Sequence, residues 1–464
     1  MKKIYLYLFS LLIFLIFPMK AQESHDFFDP MDVFELEWAS DPQVSPDSKT
    51  IVYVRKSHDI MKDKVRSNIW QIKIDGEDHR PLYSELGNSY SPRWSPNQER
   101  LAFLSNNSGS TQIHMYWFKS GETRAITQLQ ESPSSLSWSP DGKWIAFTMN
   151  VKAKSNAIVK SREKPEGATW AKKPITVTTT RYQYDGRGIV EPSYRHIFVV
   201  PAEGGSARQL TTGNFNHYGP LSWSPDSESI FFSAYRSDDW ELASSEADIY
   251  RVKVTDERID QITNQSGQEN SPVVSPNGKL IAFNLRERRP LAYTPNRIAV
   301  MDSEGKNMRV ISGNLDGDAE NIVWAEDNQS IYFTFDERGI RKVGKVTLTG
   351  KLSEAATSVG GTTIGRPYIS GGFHVAKNTI AFTYGQSDRP ADLAIMQNGK
   401  FKILTGLNED LLAHRKLGEV NEIVYKSSFD GQEIQGWYIT PPDYDPTKQY
   451  PLILEIHGGP HLAY

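Results

Sequence analysis

The stretch "WSPDGKWIAF", Trp138 to Phe147, decides the fold because it recurs. Trp94 opens "WSPNQERLAF", Trp223 opens "WSPDSESIFF", Val44 opens "VSPDSKTIVY" and Val274 opens "VSPNGKLIAF". Trp324 opens "WAEDNQSIYF", which has lost the proline, and Phe373 opens "FHVAKNTIAF", which keeps only the strand. In all seven an apolar triplet begins seven residues after the opening residue, and successive openings lie 50, 44, 85, 51, 50 and 49 residues apart. In Ser139-Pro140-Asp141-Gly142, proline at the second place presets φ, and Asp then Gly complete a type I turn. A short strand follows, Ile145-Ala146-Phe147.

Later in each unit comes a second strand signal, as in "SNIWQIKIDGEDHRPL", "RHIFVVPAEGGSARQL", "ADIYRVKVTDERIDQI" and "NRIAVMDSEGKNMRVI". Alternating apolar positions run into a polar Gly or Asp turn and a return strand. A period near 50 with several strands per unit predicts a seven-bladed β-propeller over residues 41–417, because one four-stranded sheet cannot bury both faces alone. An extended β-solenoid is the rival, and its repeat is shorter and more regular. The Trp-Asp strand ends of a WD40 repeat are missing.

The 85-residue interval holds an insertion, Val151 to Glu191, with nine Lys or Arg against four Asp or Glu. It is too short for a further blade. It reads as a solvated loop or as a loop at a substrate entrance. Residues 22–40 form an N-terminal segment in which "DPMDVFELEWASDPQ" predicts one short helix, Asp29 capping it and Pro30 taking the first position.

Composition bounds the chemistry. With 464 residues, 21 Tyr, 20 Phe, 11 Trp, 26 Pro and 33 Gly, the chain suits many short strands joined by tight turns. The net charge of −4 gives no field for nucleic acid. The absence of cysteine excludes disulfides, thiolate metal sites and a Cys nucleophile. Residues 1–21 read as an export signal: Lys2 and Lys3, an apolar run Ile4 to Phe17 interrupted only by Ser10, then Pro18 and a cleavage point at Ala21-Gln22. That run is shorter than the roughly 20 residues a membrane span needs. Met19 is large for the −3 position, so a retained anchor is the alternative. A periplasmic or secreted protein with no stable span after cleavage is the expectation.

From about Leu417 the pattern changes, and residues 418–464 read as a separate unit. "EVNEIVYKSSFDGQEIQGWYITPP" predicts a hairpin turning at Asp430-Gly431. Pro451 to Ile456, "PLILEI", is an almost continuous apolar strand of the kind buried on both faces of a parallel sheet. His457-Gly458-Gly459-Pro460 stands at its carboxyl end. A strand running into a Gly-rich turn is where an α/β-hydrolase places part of its oxyanion hole, and backbone N–H groups there stabilise a developing alkoxide without reorganising. An ordinary tight turn is the alternative for four residues alone.

Carried by "WASDPQVSPDSKTIVYV", "WSPDGKWIAF", "RYQYDGRG", "SDRPADLAIM", "SSFDGQEIQGWYITPP" and "YPLILEIHGGPHLAY", the chain resembles the prolyl oligopeptidase family of serine peptidases, in its acylaminoacyl-peptidase and dipeptidyl-peptidase-like branch. The resemblance implies a propeller followed by the first strands of an incomplete α/β-hydrolase domain. It implies short peptide substrates and no cofactor or metal. It places oxyanion-hole N–H groups at Gly458 and Gly459, with His457 as an orienting neighbour rather than the general base. The family's G-x-S-x-G elbow has no counterpart here. Ser89, Ser206 and Ser387 follow G-x but lack the second glycine, and they fall in the propeller. The expectation is therefore a peptidase truncated before its Ser/Asp/His triad and inactive by itself. Some relatives hold a peptide's amino end with propeller carboxylates, for which Glu191 and Glu337 are candidates, with surface ion pairing as their alternative. A TolB-like binding module and a pseudoenzyme are the rival readings. Peptide specificity, exo- or endopeptidase action and oligomeric state are left open.

Overall fold

The computed structural model describes residues 26–153, 162–171, 175–177, 179–243, 245–289, 291, 293–364 and 368–458. The segment read as an export signal lies outside them. No helix among the described residues is long and apolar enough to cross a membrane.

Seven antiparallel units of four strands follow one another along the chain, two of them joined by a single bridge, Val359 to Tyr384. Blade 1 comprises Trp38–Val44, Thr50–Asp59, Lys64–Lys73 and Arg80–Tyr83. Blade 3 comprises Pro133–Trp138, Trp144–Lys152, Ser193–Pro201 and Arg208–Gln209, so the insertion is simply the loop between its second and third strands. Blade 7 comprises Phe373–Ala376, Thr379–Gln386, Arg389–Gln397 and Lys400–Ile403. The others repeat the plan: blade 2 comprises Ser89–Trp94, Arg100–Ser105, Gln112–Trp117 and Thr123–Ala125; blade 4 His217–Trp223, Ser229–Ala234, Asp248–Lys253 and Ile259–Gln261; blade 5 Gly267–Val274, Leu280–Glu287, Arg297–Asp302 and Arg309–Val310; and blade 6 Glu320–Trp324, Ser330–Glu337, Ile340–Thr347 and Leu352–Val359.

The repeated phrase is the turn from the innermost strand to the second. In "SPDG" the Ser139 carbonyl accepts from Gly142 N–H at 2.9 Å and Gly142 sits at φ +69, a conformation glycine takes without cost. The Ser139 hydroxyl donates to Asp141 at 2.6 Å and accepts from Trp144 N–H at 2.9 Å, which fixes the start of the next strand. Ser45, Ser95, Ser224 and Ser275 do the same in their blades. Where Ala325 replaces the serine, Ser330 on the opposite side donates to Asp327 instead.

The opening tryptophans have a second task. The indole N–H of each donates to a backbone carbonyl of the preceding blade: Trp94 to Gln43 at 3.0 Å, Trp138 to Arg93 at 3.0 Å, Trp223 to Ser137 at 3.2 Å and Trp324 to Val273 at 2.8 Å. Every acceptor immediately precedes the previous blade's opening residue. A valine cannot make this link. Val274 N–H donates to the Ser222 hydroxyl, and Val44 N–H to His374 Nδ1.

Burial follows the same register. The third residue of every triplet, Tyr53, Phe103, Phe147, Phe232, Phe283, Phe333 and Phe382, is fully buried. One apolar cluster lies at each of the seven interfaces between adjacent blades, including that between blades 7 and 1. Each such side chain contributes roughly 1.5–3 kcal/mol on leaving water. A blade's faces are covered only by its neighbours, so the ring is the stable unit.

The innermost strands escaped the sequence reading. Segments such as "SYSPRW" and "GQENSPVV" carry Pro and Ser and do not alternate. Each inner strand but blade 7's has a register shift before its end. Asp41, Ser91, Ser135, Ser271 and Asn321 take positive φ there, each three residues before the opening residue. A bulge blunts an edge strand whose free side faces the central channel.

No strand is exchanged to close the ring: blade 1 and blade 7 are each built of consecutive residues. Side chains close the seam. Ala39, Ile51, Tyr53 and Ile72 pack against Ala381, Leu393, Ile395 and Leu407, and Ser48 donates to the Ala376 carbonyl at 2.9 Å. Beyond blade 7, a four-residue helix Glu409–Leu412 leads to the last segment. Ahead of blade 1 the expected helix is a 3-10 turn confined to Pro30–Phe34, with Asp29 accepting from Met31 N–H at 2.8 Å; from Trp38 the predicted helical stretch is strand, because its side chains are needed in the seam.

Candidate functional site

In a four-stranded antiparallel blade the loop between strands two and three, and the crossing to the next blade, emerge at one end. That face carries the candidate site. In blade 3 the insertion rises there, its base tied by Ala153 N–H to the Pro192 carbonyl at 2.9 Å. Within it, "RYQYDGRG" forms a small ribbon, Gln183–Tyr184 against Gly188–Ile189. Thr180 binds Glu241 of the blade 4 loop through both N–H and hydroxyl, at 2.9 and 3.0 Å, and Tyr194 meets Trp240 edge to face. Arg288 of the blade 5 loop reaches Glu246 at 3.0 Å. Much of the propeller's exposed large apolar surface lies on loops of this face, including Met61 of blade 1 and Tyr184, Ile189, Leu242, Leu291 and Tyr293 of blades 3 to 5. Exposed apolar groups gathered on one face mark an interaction surface.

The expected hairpin forms, Val420–Lys426 against Glu433–Ile439, but its loop is longer than a turn of Asp430-Gly431 alone: Ser427 N–H donates to the Gln432 carbonyl at 2.8 Å, and Gly431 sits inside it at φ +71. It rests on this face at blade 6. The Trp437 ring lies so close over Gly339, at φ +73, that a Cβ there would sit 2.5 Å from its Cη2. Arg338 pairs with Glu422 at 3.0 Å, and Gln435 donates to the Arg338 carbonyl at 3.1 Å.

From Pro451 to Gly458 the chain forms no strand, so the predicted strand Pro451–Ile456 is not seen. Ile453, at 91% exposed, is typical of its apolar side chains. A segment suited to burial on both faces pairs only when neighbouring strands and covering helices are present. His457 and Gly458 are exposed; His457 Nδ1 lies 3.3 Å from the Gly458 carbonyl, and a Cβ on Gly458 would meet nothing. Gly459 lies outside the described residues.

The other candidates fall apart from this end. Glu191 pairs with Lys152 at 3.5 Å and Glu337 with Lys342 at 2.7 Å, both as surface ion pairs. Ser89 is buried and donates to Ser105 at 3.0 Å, while Ser206 and Ser387 are exposed. Among the described residues no group of three or more His, Asp or Glu is placed to hold a metal ion.

A second concavity is the channel, a cavity of about 680 Å³ lined by inner-strand residues of all seven blades, among them Asp41, Arg93, Trp138, Pro220, Asn321 and His374. On its wall Arg93 of blade 2 donates to both Asp41 oxygens of blade 1, at 2.9 and 3.1 Å. Burial, and then the Arg93 charge, push the His374 imidazole down to about 4, which keeps it neutral to accept from Val44.

The comparisons agree with this architecture. A family profile described as PD40, TolB beta propeller domain, matches residues 37–172 and 137–364. The chain is 27% identical over 453 residues to the uncharacterized peptidase YuxL of Bacillus subtilis, covering 93% of this chain and 66% of the relative. It is 25% identical over 464 residues to dipeptidyl-peptidase 5 of Porphyromonas gingivalis, covering 96% of this chain and 65% of the relative. It thus spans just under two thirds of the length of either. The Pyrococcus horikoshii acylaminoacyl peptidase shares the fold with a TM-score of 0.69 at 16% identity, over 90% of this chain and 60% of that one.

Proposed function

Because the chain belongs to the TolB β-propeller domain family, in the form carried by prolyl oligopeptidase-family peptidases, we propose that it supplies the propeller and the opening of the catalytic domain of an exported serine peptidase acting on short peptides. The observation that carries this reading is the hairpin Val420–Ile439 seated on the loop-bearing face, followed by an apolar segment ending in His457-Gly458. A propeller alone has no use for either. The loops of blades 3 to 5 admit extended peptides and exclude folded proteins. Gly458 and Gly459 direct N–H groups at the alkoxide of the tetrahedral intermediate, with His457 orienting the turn. Losing one such donor typically raises the barrier by about 2.7–4 kcal/mol.

In this reading residues 22–464 alone have no turnover, since attack needs a serine activated by a base. The test is hydrolysis of dipeptidyl and acyl-aminoacyl chromogenic substrates by the purified chain, with and without a serine-directed inhibitor. Inhibitor-sensitive turnover would overturn the inactivity. A coding frame beyond Tyr464 that reaches a G-x-S-x-G elbow within about 100 residues supports the peptidase. Export is checked by fractionating expressing cells; retention in the cytoplasm removes it.

A second reading, a TolB-like peptide-binding module, draws on the ring closing without residues 420–458. Calorimetry on the chain deleted after Leu417 separates the two. Peptide binding that survives the deletion favours the module.

A further inference from the structure

The inner strand of blade 5 contains a fully buried acid, Glu269, where the same position holds Ala39, Ser89, Pro133 and Ala319 in blades 1, 2, 3 and 6 and the buried His217 in blade 4. It lies at the seam with blade 4, where the backbones of two blades bond directly: Glu269 N–H donates to the Ala247 carbonyl at 2.7 Å and Ala247 N–H to the Gly267 carbonyl at 3.0 Å. Asp248, also buried, faces it across the seam. Neither Glu269 oxygen, nor Asp248 Oδ1, has a well-formed bond from a donor among the described residues. The equivalent aspartate of blade 7, Asp392, accepts from both the Thr405 hydroxyl and Leu407 N–H, at 2.7 and 2.9 Å.

The surroundings supply little positive charge. From blade 4, Glu246 and Tyr250 flank Asp248, and Gln261 donates to its Oδ2 at 3.1 Å. The Thr263 hydroxyl and the Gln265 N–H lie beside Glu269. Arg288 is engaged by Glu246, and Arg236 stands beyond Tyr250, donating to His217. Two buried carboxyl groups facing each other with so little positive charge at hand are tolerable only when one of them carries a hydrogen.

We infer that Glu269 and Asp248 share one proton across the seam between blades 4 and 5, and that this proton holds the seam closed on the loop-bearing face. Burial first, and the Asp248 charge next, raise the Glu269 carboxyl above the ordinary range, to about 7. A raised carboxyl contributes stability that is full below the unfolded value near 4.5 and is lost as pH rises through the folded one. Seam opening becomes easier by up to about tenfold per pH unit across that window.

Hydrogen exchange of the bridging amides, Ala247 and Glu269, tests this on the full chain between pH 5.5 and 8.5, after correction for intrinsic rates. The wild type is expected to lose protection at least about tenfold as pH rises. Glu269→Gln, which carries its hydrogen at every pH, stays protected throughout. Asp248→Asn, in which the amide donates to Glu269, flattens the profile as well. Protection in the wild type that does not change with pH, or an unchanged loss in both variants, overturns the proposal.

Discussion

Asn408 and Glu37 exchange two hydrogen bonds across 371 residues of chain: Glu37 N–H donates to the Asn408 side-chain carbonyl at 2.8 Å, and the Asn408 amide donates to the Glu37 carbonyl at 2.7 Å. The carboxamide imitates a strand neighbour where the ring lacks one. Asn408→Ala removes both partners from a buried site and is expected to cost about 1–3 kcal/mol. The denaturant midpoint reports the loss; an unchanged midpoint means water replaces the amide freely.

The tryptophan links give a second expectation. Trp324→Phe keeps the ring's apolar area but strips the donor from the Val273 carbonyl, for a loss of about 1–2 kcal/mol. Equilibrium unfolding measures it. A neutral substitution would show that the indole is there only for its bulk.

Acid weakens the ring at blade 4. His217 donates from Nδ1 to the Arg195 carbonyl at 2.8 Å and accepts from Arg236 at 2.5 Å, an arrangement open only to the neutral ring. Burial, and then neighbouring charge from Arg236, push it down to about 3, and His196 beside it to about 4. The depressed value means stability is present above about 6.5 and is lost as pH falls toward 3, at up to about 1.4 kcal/mol per pH unit. His217→Gln should flatten the decline between pH 6.5 and 4 in urea titrations. An equally steep decline in the variant assigns the acid sensitivity elsewhere.

Gly339 sets the seat of the hairpin. Gly339→Val adds a branched side chain at φ +73 and directly under Trp437. Limited proteolysis should then cut between residues 418 and 442 while the propeller survives. An uncut hairpin would mean that the Arg338–Glu422 pair alone retains it.

The sequence disclosed what repeats by chemistry. The Ser-Pro-Asp-Gly turns, the triplets ending in Tyr53 or Phe147, and the paired later strands are local devices and were legible. The inner strands were not, since their bulges around Ser91 and Ser271 break the alternation that signals a strand. A quieter signal was available: Thr127, Thr211, Thr263, Ser312 and Thr405 follow the return strands, and each hydroxyl accepts from the third strand's N–H at 2.8–3.0 Å. At the candidate site His457 and Gly458 rest on a motif alone, and strand formation by Pro451–Ile456 depends on neighbours rather than on its own composition. The Glu269–Asp248 pair was invisible because its partners stand 21 residues apart and only the seam brings them together.

The closure of the ring has one more consequence. Because each blade is woven from consecutive residues and side chains alone join blade 7 to blade 1, the seams are chiefly packed side chains, with direct backbone bonds added between blades 4 and 5 and between blades 6 and 7. A gene encoding such a ring can gain or lose a whole blade by duplication or deletion while breaking, at most, the one bridge between blades 6 and 7 or the short backbone link between blades 4 and 5. What it must preserve is one opening tryptophan, or its substitute, per joint.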